Sequence, residues 1–480
     1  MNINMVLYII GWILEFEAAF MLLPGIVGLI YGEPAAALSY FGTAVFTFLA
    51  GLLFKMKKPR TMDLYMREGF ATVALGWMSM GLFGAIPFVL CGDIPNYVNA
   101  VFEAISGFTT TGASILSDVE ALTHAGLFWR SFTHWIGGMG VFVFIMAILP
   151  LMGGSTMNLM KAESTGPSVS KLVPRVRDSA KILYQIYFFL TIVSIIVYLF
   201  CGLNLFEALC ISFGTLGTGG FGVLNTSVAS YSAAAQWAIG IFMVLAGINY
   251  TAYFYLMQKE WKNAFSIEEV RWYLLLVVVA TFAITLNIRP LHAGFEESLR
   301  AAFFQVASIV TTTGFSTKDF DLWPSFSKMI LLLLMFIGAC SGSTAGGMKI
   351  SRVVIYIKSL RKELSTMVHP RLVRKLRMDG HVVAEDTVRS TGVYLMAYVL
   401  ILAVSVLLIS PDGFDFTTNF TAVAATFNNI GPGLAGVGPT RNYFDYSVFS
   451  KIVLIFDMLA GRLELFPLLI LFKAGCWKKY

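Results

Sequence analysis

The sequence predicts an all-α integral membrane protein: ten transmembrane helices and four re-entrant half-helices, arranged as a fourfold pseudo-repeat of helix, loop and helix around a central axis. Three observations carry that prediction. The composition is 57% hydrophobic and only 13% charged, with a mean hydropathy of +0.75, whereas a soluble chain carries roughly 25% charged residues. The apolar runs fall into two classes, those long enough to cross a bilayer and those too short to do so. Each short run is followed by a polar strip that ends in glycine.

A helix needs about 20 apolar residues to cross the hydrocarbon core. The runs that approach or meet this length, with loose ends, are 5–31, 38–55, 69–91, 126–152, 182–203, 234–258, 271–289, 328–358, 388–410 and 446–473. The first lacks a basic leading segment and a small-residue cleavage site, so it is expected as a retained helix and not a signal peptide. Glu15 and Glu17 inside it are expected at a helix interface. Four shorter runs, 98–108, 205–216, 297–310 and 415–427, fit half-helices that enter and leave on one side.

Orientation follows from the basic residues. Lysine and arginine concentrate in segments 55–67, 161–181, 259–271 and 349–389, and in the tail 473–479. With ten crossings, all five segments share one side, which is then the cytoplasm, and both termini lie there. The half-helices enter from the opposite side. The long basic loop 349–389 has two readings of equal weight, one that merely enforces orientation and one, from its size and mixed charge, as a docking surface.

Internal similarity organises the rest. Aligned on their final glycine, the short runs read "NAVFEAISGFTTTG" (99–112), "EALCISFGTLGTGG" (207–220), "AAFFQVASIVTTTG" (301–314) and "NFTAVAATFNNIG" (419–431). Residues 1–60 hold two helices outside the repeat. The four units are 61–165, 166–262, 263–377 (with an interrupted inner helix) and 378–480. One threonine–glycine cluster would read as an ordinary turn; four, each after a half-span and all on one side, do not. Backbone that is neither helix nor barrel persists at membrane depth only when protein buries it or it lines a hydrated cavity. Four strips meeting at one axis satisfy that condition. Rings of carbonyls can replace a cation's hydration shell, and glycine adopts the backbone angles that turn carbonyls inward. Half-helices ending at the strips aim their negative dipole ends at the same point.

Other chemistry finds little support. Five cysteines include no CxxC pair and read as small hydrophobes. His124, His134 and His292 have no ligand spacing and read as structural. Gly342 and Gly347 have Walker-like spacing, but Met348 follows, Lys349 comes one place late and no strand precedes. An intramembrane enzyme would need convergent acids, a nucleophile–base pair or a metal cluster, and only scattered candidates exist. A secondary carrier for another small solute is the nearer alternative, since carriers also use broken helices; that class often shows inverted repeats, whereas these four units share one orientation. Arg462, in the last span, is expensive in lipid and is expected to face the cavity. The small residues and glycines of "GACSGSTAGG" (338–347) are expected to break the helix around them.

The ordered set of strips, with "CSGSTAGGMKISR" (340–352) and "AGRLELF" (460–466), resembles the Trk-type bacterial potassium transporters, within the superfamily that also contains Ktr, fungal Trk and plant HKT proteins. The resemblance spans essentially the whole chain, and the two leading helices favour the Trk branch. It implies potassium uptake across the bacterial cytoplasmic membrane, with potassium as the transported ion, no cofactor and no enzymatic activity. It implies a selectivity filter made by Thr110, Thr111 and Gly112; Thr218, Gly219 and Gly220; Thr312, Thr313 and Gly314; and Asn429, Ile430 and Gly431. It further implies an intramembrane gate built from Gly338, Gly342, Ser343, Thr344, Gly346 and Gly347, with Arg462 as a positive barrier. Glycine at 112, where some sodium-permeable plant relatives have serine, implies potassium selectivity. The resemblance also implies a homodimer and a cytosolic ring of nucleotide-binding regulatory subunits, and it gives no role for nucleic acid.

Overall fold

The computed structural model describes residues 1–59, 65–140, 176–371 and 375–477. These residues are mostly helical, with one small antiparallel pairing of Arg377–Met378 with His381–Val382 inside the long basic loop. Among them, six helices are long and apolar enough to cross a membrane: Ile3–Ile30, Pro34–Lys55, Met66–Leu90, Ala180–Phe200, Glu268–Leu291 and Glu385–Asp412. Large apolar side chains such as Leu38, Val45, Leu53, Met396 and Leu407 stand exposed on these helices. Lipid is the solvent that suits such a surface.

The two leading helices form a tight hairpin. A Cβ on Gly11 would lie 2.6 Å from the Gly51 carbonyl, and one on Gly51 would lie 2.7 Å from the Gly11 carbonyl, so only glycine permits this approach. Glu15 meets Lys55 across the same hairpin at 2.6 Å, and the Lys55 ammonium lies 3.5 Å from the Trp12 ring centroid. Glu17 is buried nearby, beside Gly84. Both acids therefore sit at helix interfaces.

Four short helices, Tyr97–Phe108, Leu205–Leu216, Phe295–Val310 and Phe416–Phe427, occupy the predicted half-spans. Three start at side-chain caps that bind an orphan backbone N–H. Asn96 accepts from the Asn99 amide, Asn204 forms a capping box with Glu207, and Asp415 accepts from the Thr418 amide. The third begins at Gly294 and instead places Glu296 and Glu297 in its first turn, where the helix dipole favours negative charge.

Two of the predicted continuous spans, 234–258 and 446–473, are not continuous in the described residues, and 328–358 carries its predicted interruption. The run 234–258 is two helices, Ala233–Ala246 and Tyr250–Met257, bent by 91° at the break. Asn249 causes the new start: its side chain accepts the Thr251 amide at 2.9 Å. The run 328–358 is Ser325–Ile337 and Ile350–Val368, separated by residues 338–349. The run 446–473 stops at Arg462, because Glu464 and Leu465 take left-handed angles before the short helix Phe466–Leu469. The run 126–152 is seen as His124–Gly138, and its remainder falls within 141–175, outside the described residues. The same boundary covers the basic residues 161–175.

Candidate functional site

Each of the four short helices ends in the same local structure. The amide of the third strip residue reaches back five residues: Thr111 to the Ser106 carbonyl at 2.9 Å, Gly219 to Gly214 at 2.8 Å, Thr313 to Ser308 at 2.8 Å and Ile430 to Ala425 at 2.8 Å. The preceding amide reaches back three: Thr110 to Gly107, Thr218 to Thr215, Thr312 to Ile309 and Asn429 to Thr426. This pair of bonds is a Schellman cap, which requires a left-handed residue just past the helix. Thr110, Thr218, Thr312 and Asn429 supply it, with φ between 54° and 56°. The closing glycines are left-handed as well, at φ 75° for Gly112, 81° for Gly220, 88° for Gly314 and 93° for Gly431. The first and third strips are identical in sequence and the second and fourth diverge from them, yet all four carry one backbone trace.

The four traces meet. A Cβ added to Gly112 would strike the Gly219 carbonyl; on Gly220 it would strike that of Thr313, and on Gly314 that of Ile430. On Gly431 it would lie 2.8 Å from the carbonyls of Thr111 and Gly112. The order is first, second, third, fourth and back to first, which closes a ring. At these positions glycine is required twice over, for its φ and for the absence of a side chain between neighbouring strips. Side chains fasten the ring from behind. The Asn429 amide donates to Thr111 Oγ1 and the Met458 carbonyl, each at 2.9 Å, and the Tyr443 hydroxyl donates to the Gly431 carbonyl at 2.7 Å.

The interrupted stretch lies against this ring. Gly338, Gly342, Gly347 and Lys349 have positive φ, and Ser343 and Thr344 are buried. The Gly346 amide donates to Thr312 Oγ1 at 2.6 Å, and a Cβ on Gly346 would lie 2.6 Å from the Asn428 carbonyl. On its other side the loop docks onto the broken second inner helix. Cys340 N donates to the Gly247 carbonyl and Tyr250 N to the Gly342 carbonyl, both at 3.1 Å. Arg462 completes the arrangement. Its guanidinium donates to the Thr344 carbonyl at 2.9 Å, to the Gly138 carbonyl at 2.8 Å, to the Gly137 carbonyl and to Thr110 Oγ1 at 3.4 Å. It therefore caps the C-terminal carbonyls of His124–Gly138, where a cation is favoured, while holding the loop. Glu464 pairs with Arg352 at the far end of the loop.

Two participants had only faint sequence signals. Glu269 is buried, and its Oε1 accepts the Ser341 amide at 2.5 Å and the Ser351 amide at 3.2 Å, so one carboxylate holds both ends of the loop. An acid at the margin of an apolar run was its only mark. The break at 247–249 was marked only by glycine and asparagine inside a hydrophobic stretch. His134 is buried against Phe221 and beside Gly219, in keeping with a structural place behind the second strip.

The model of the TrkH family, described as cation transport proteins, matches residues 36–478. The chain belongs to that family. It is 36% identical to the Trk system potassium uptake protein TrkH of Escherichia coli and to that of Salmonella typhimurium, over 100% of each chain. It is 31% identical to the Trk system potassium uptake protein TrkG of Escherichia coli, over 99% of both chains. Among solved structures, the crystal structure of the potassium transporter TrkH from Vibrio parahaemolyticus superposes with a TM-score of 0.89, at 32% identity and full coverage of both chains. A TrkH-family chain is a multi-pass membrane transporter, not an enzyme, which agrees with the apolar helices described above.

Proposed function

We propose that this chain takes up potassium across the bacterial cytoplasmic membrane through a filter formed by the four strips. The reading rests on one observation: four loops of three different sequences share one backbone conformation and abut in a closed cycle at Gly112, Gly220, Gly314 and Gly431. Such a ring can present main-chain oxygens to a dehydrated cation without any fixed charge. The short helices end at the ring, so their negative dipole ends add to its attraction for a cation. The names of the full-length relatives supply the ion. In this reading the protein crosses the membrane ten times, with both termini cytoplasmic, and its four pore units are 61–165, 166–262, 263–377 and 378–480. The loop containing Gly338, Gly342, Ser343, Thr344, Gly346 and Gly347 is the gate, and Arg462 is the positive charge that holds it and opposes cation passage. The functional unit is a homodimer that docks a cytosolic nucleotide-binding ring on its basic cytoplasmic face.

The test is growth and potassium uptake in a bacterium lacking its own uptake systems, comparing the parent with Gly112→Ser and Gly314→Ser. Either serine places a side chain between adjacent strips, and both variants are expected to lose discrimination of potassium over sodium. Parental discrimination in both, at equal membrane abundance, would remove the filter assignment.

A further inference from the structure

An ion pair is buried behind the first two strips, outside the ring and the gate. Glu103 lies on the helix Tyr97–Phe108 and Arg130 on the helix His124–Gly138, and both are almost inaccessible, at 1% and 4% exposure. Arg130 Nε donates to Glu103 Oε1 at 2.5 Å. The rest of the guanidinium reaches two different loops: Nη2 donates to Ser114 Oγ at 3.2 Å, and Nη1 donates to the Gly222 carbonyl at 3.0 Å. Its face lies 3.7 Å from the Phe221 ring centroid. Glu103 uses its remaining capacity on the first loop, accepting from Ser114 Oγ at 2.9 Å and from the Ile115 amide at 3.0 Å. Ser114 and Ile115 follow Gly112 closely, and Gly222 follows Gly220. One bidentate-capable cation therefore fastens the outgoing limb of the first strip to that of the second.

A buried pair is a weak device for stability, because desolvation offsets its attraction, and apolar residues of like volume often serve as well. Its advantage is geometry: a planar guanidinium fixes several acceptors at set directions, which an ammonium does not. The equivalent positions in the other short helices are Ile211, Gln305 and Ala422, so the charge belongs to the first repeat. The geometry points to Glu103 and Arg130 as positioning residues that set the spacing of the first and second strips at the outer mouth, and so determine which monovalent cation the ring accepts. This assignment rests on the filter reading above.

The test uses the full-length protein in proteoliposomes, with potassium, rubidium and sodium fluxes measured on the same preparations. Glu103→Gln keeps the shape and removes the charge. It is expected to keep potassium flux while the potassium-to-sodium ratio falls by about tenfold, the equivalent of one charge-assisted hydrogen bond. Arg130→Lys keeps the charge but cannot hold Glu103, Ser114 and Gly222 together; an intermediate ratio is expected. If Glu103→Gln does not yield folded protein by gel filtration, Arg130→Lys decides the matter alone. A folded, conducting variant with the parental ratio overturns the positioning role. Insensitivity of the ratio to Gly112→Ser in the same vesicles would instead overturn the filter itself, so the two failures are distinguishable.

Discussion

Threonine is a poor residue for left-handed backbone, yet three of the four strips use it there and the fourth uses asparagine. A non-glycine residue held in that region costs on the order of 1–3 kcal/mol and persists where its surroundings compensate. The side chains show the compensation. Thr312 Oγ1 accepts the Gly346 amide, Thr110 Oγ1 faces Arg462, and the Asn429 amide bridges to Thr111 and Met458. Glycine would relax these positions but would disconnect the strips from the loop beneath. The coupling can be isolated with Thr312→Val, which shares the branched shape and the strain but has no acceptor. It leaves the Gly346 N–H buried and unpaired at a cost of about 1–3 kcal/mol in the closed arrangement, which corresponds to a shift of about 5- to 150-fold in the closed population. Faster potassium flux in proteoliposomes is the expected result; parental flux would show that this hydroxyl does not hold the loop.

At the scale of elements, breaks organise the side of the ring that holds residues 338–349. The second inner helix breaks at 247–249 and the third at 338–349, and the two breaks bind each other through main-chain hydrogen bonds that continuous helices could not offer. The helix Val448–Arg462 ends at Arg462, whose side chain closes the gap to the end of His124–Gly138. Glu269 then ties both ends of the loop to the neighbouring helix. Glu269→Gln keeps one acceptor oxygen but loses the charge that strengthens both bonds, each worth about 1.5–3 kcal/mol when charge-assisted. Raised flux at unchanged ion preference is expected, read by stopped-flow potassium uptake into vesicles. Flux equal to the parent's would show that the loop is held by its backbone bonds alone. The sequence revealed the interruption at 338–347 because so many small residues there cannot sustain a helix. It concealed the break at 247–249 because hydrophobicity continues across it, and hydropathy reports burial in lipid rather than helix continuity. The early stop at Arg462 was hidden for the same reason.

For the whole molecule, the repeat was legible because backbone requirements outlast side-chain identity: the glycines at 112, 220, 314 and 431 each meet both a φ requirement and a steric one. The cross-repeat fastenings were not legible, since pairs such as Asn429 with Thr111 or Arg130 with Gly222 are far apart in sequence and adopt no common spacing. Orientation is the remaining property of the whole chain, and the argument for it is electrostatic. The described segments that follow the strips carry acids such as Asp118, Glu120, Asp319, Asp321 and Asp445, whereas the opposite segments carry Lys358, Arg361, Lys362 and Arg371. Lysine and arginine are retained on the cytoplasmic side during insertion, so the ring should open outward. A direct check replaces the five free cysteines and adds one back at an exposed site on either face, Thr226→Cys beyond the second strip or Glu363→Cys on Ile350–Val368. A membrane-impermeant maleimide applied to intact cells should label Thr226→Cys at once and Glu363→Cys only after permeabilisation. The reverse pattern would invert the protein in the membrane, turn the proposed filter toward the cytoplasm, and leave the basic loop without access to a cytosolic ring.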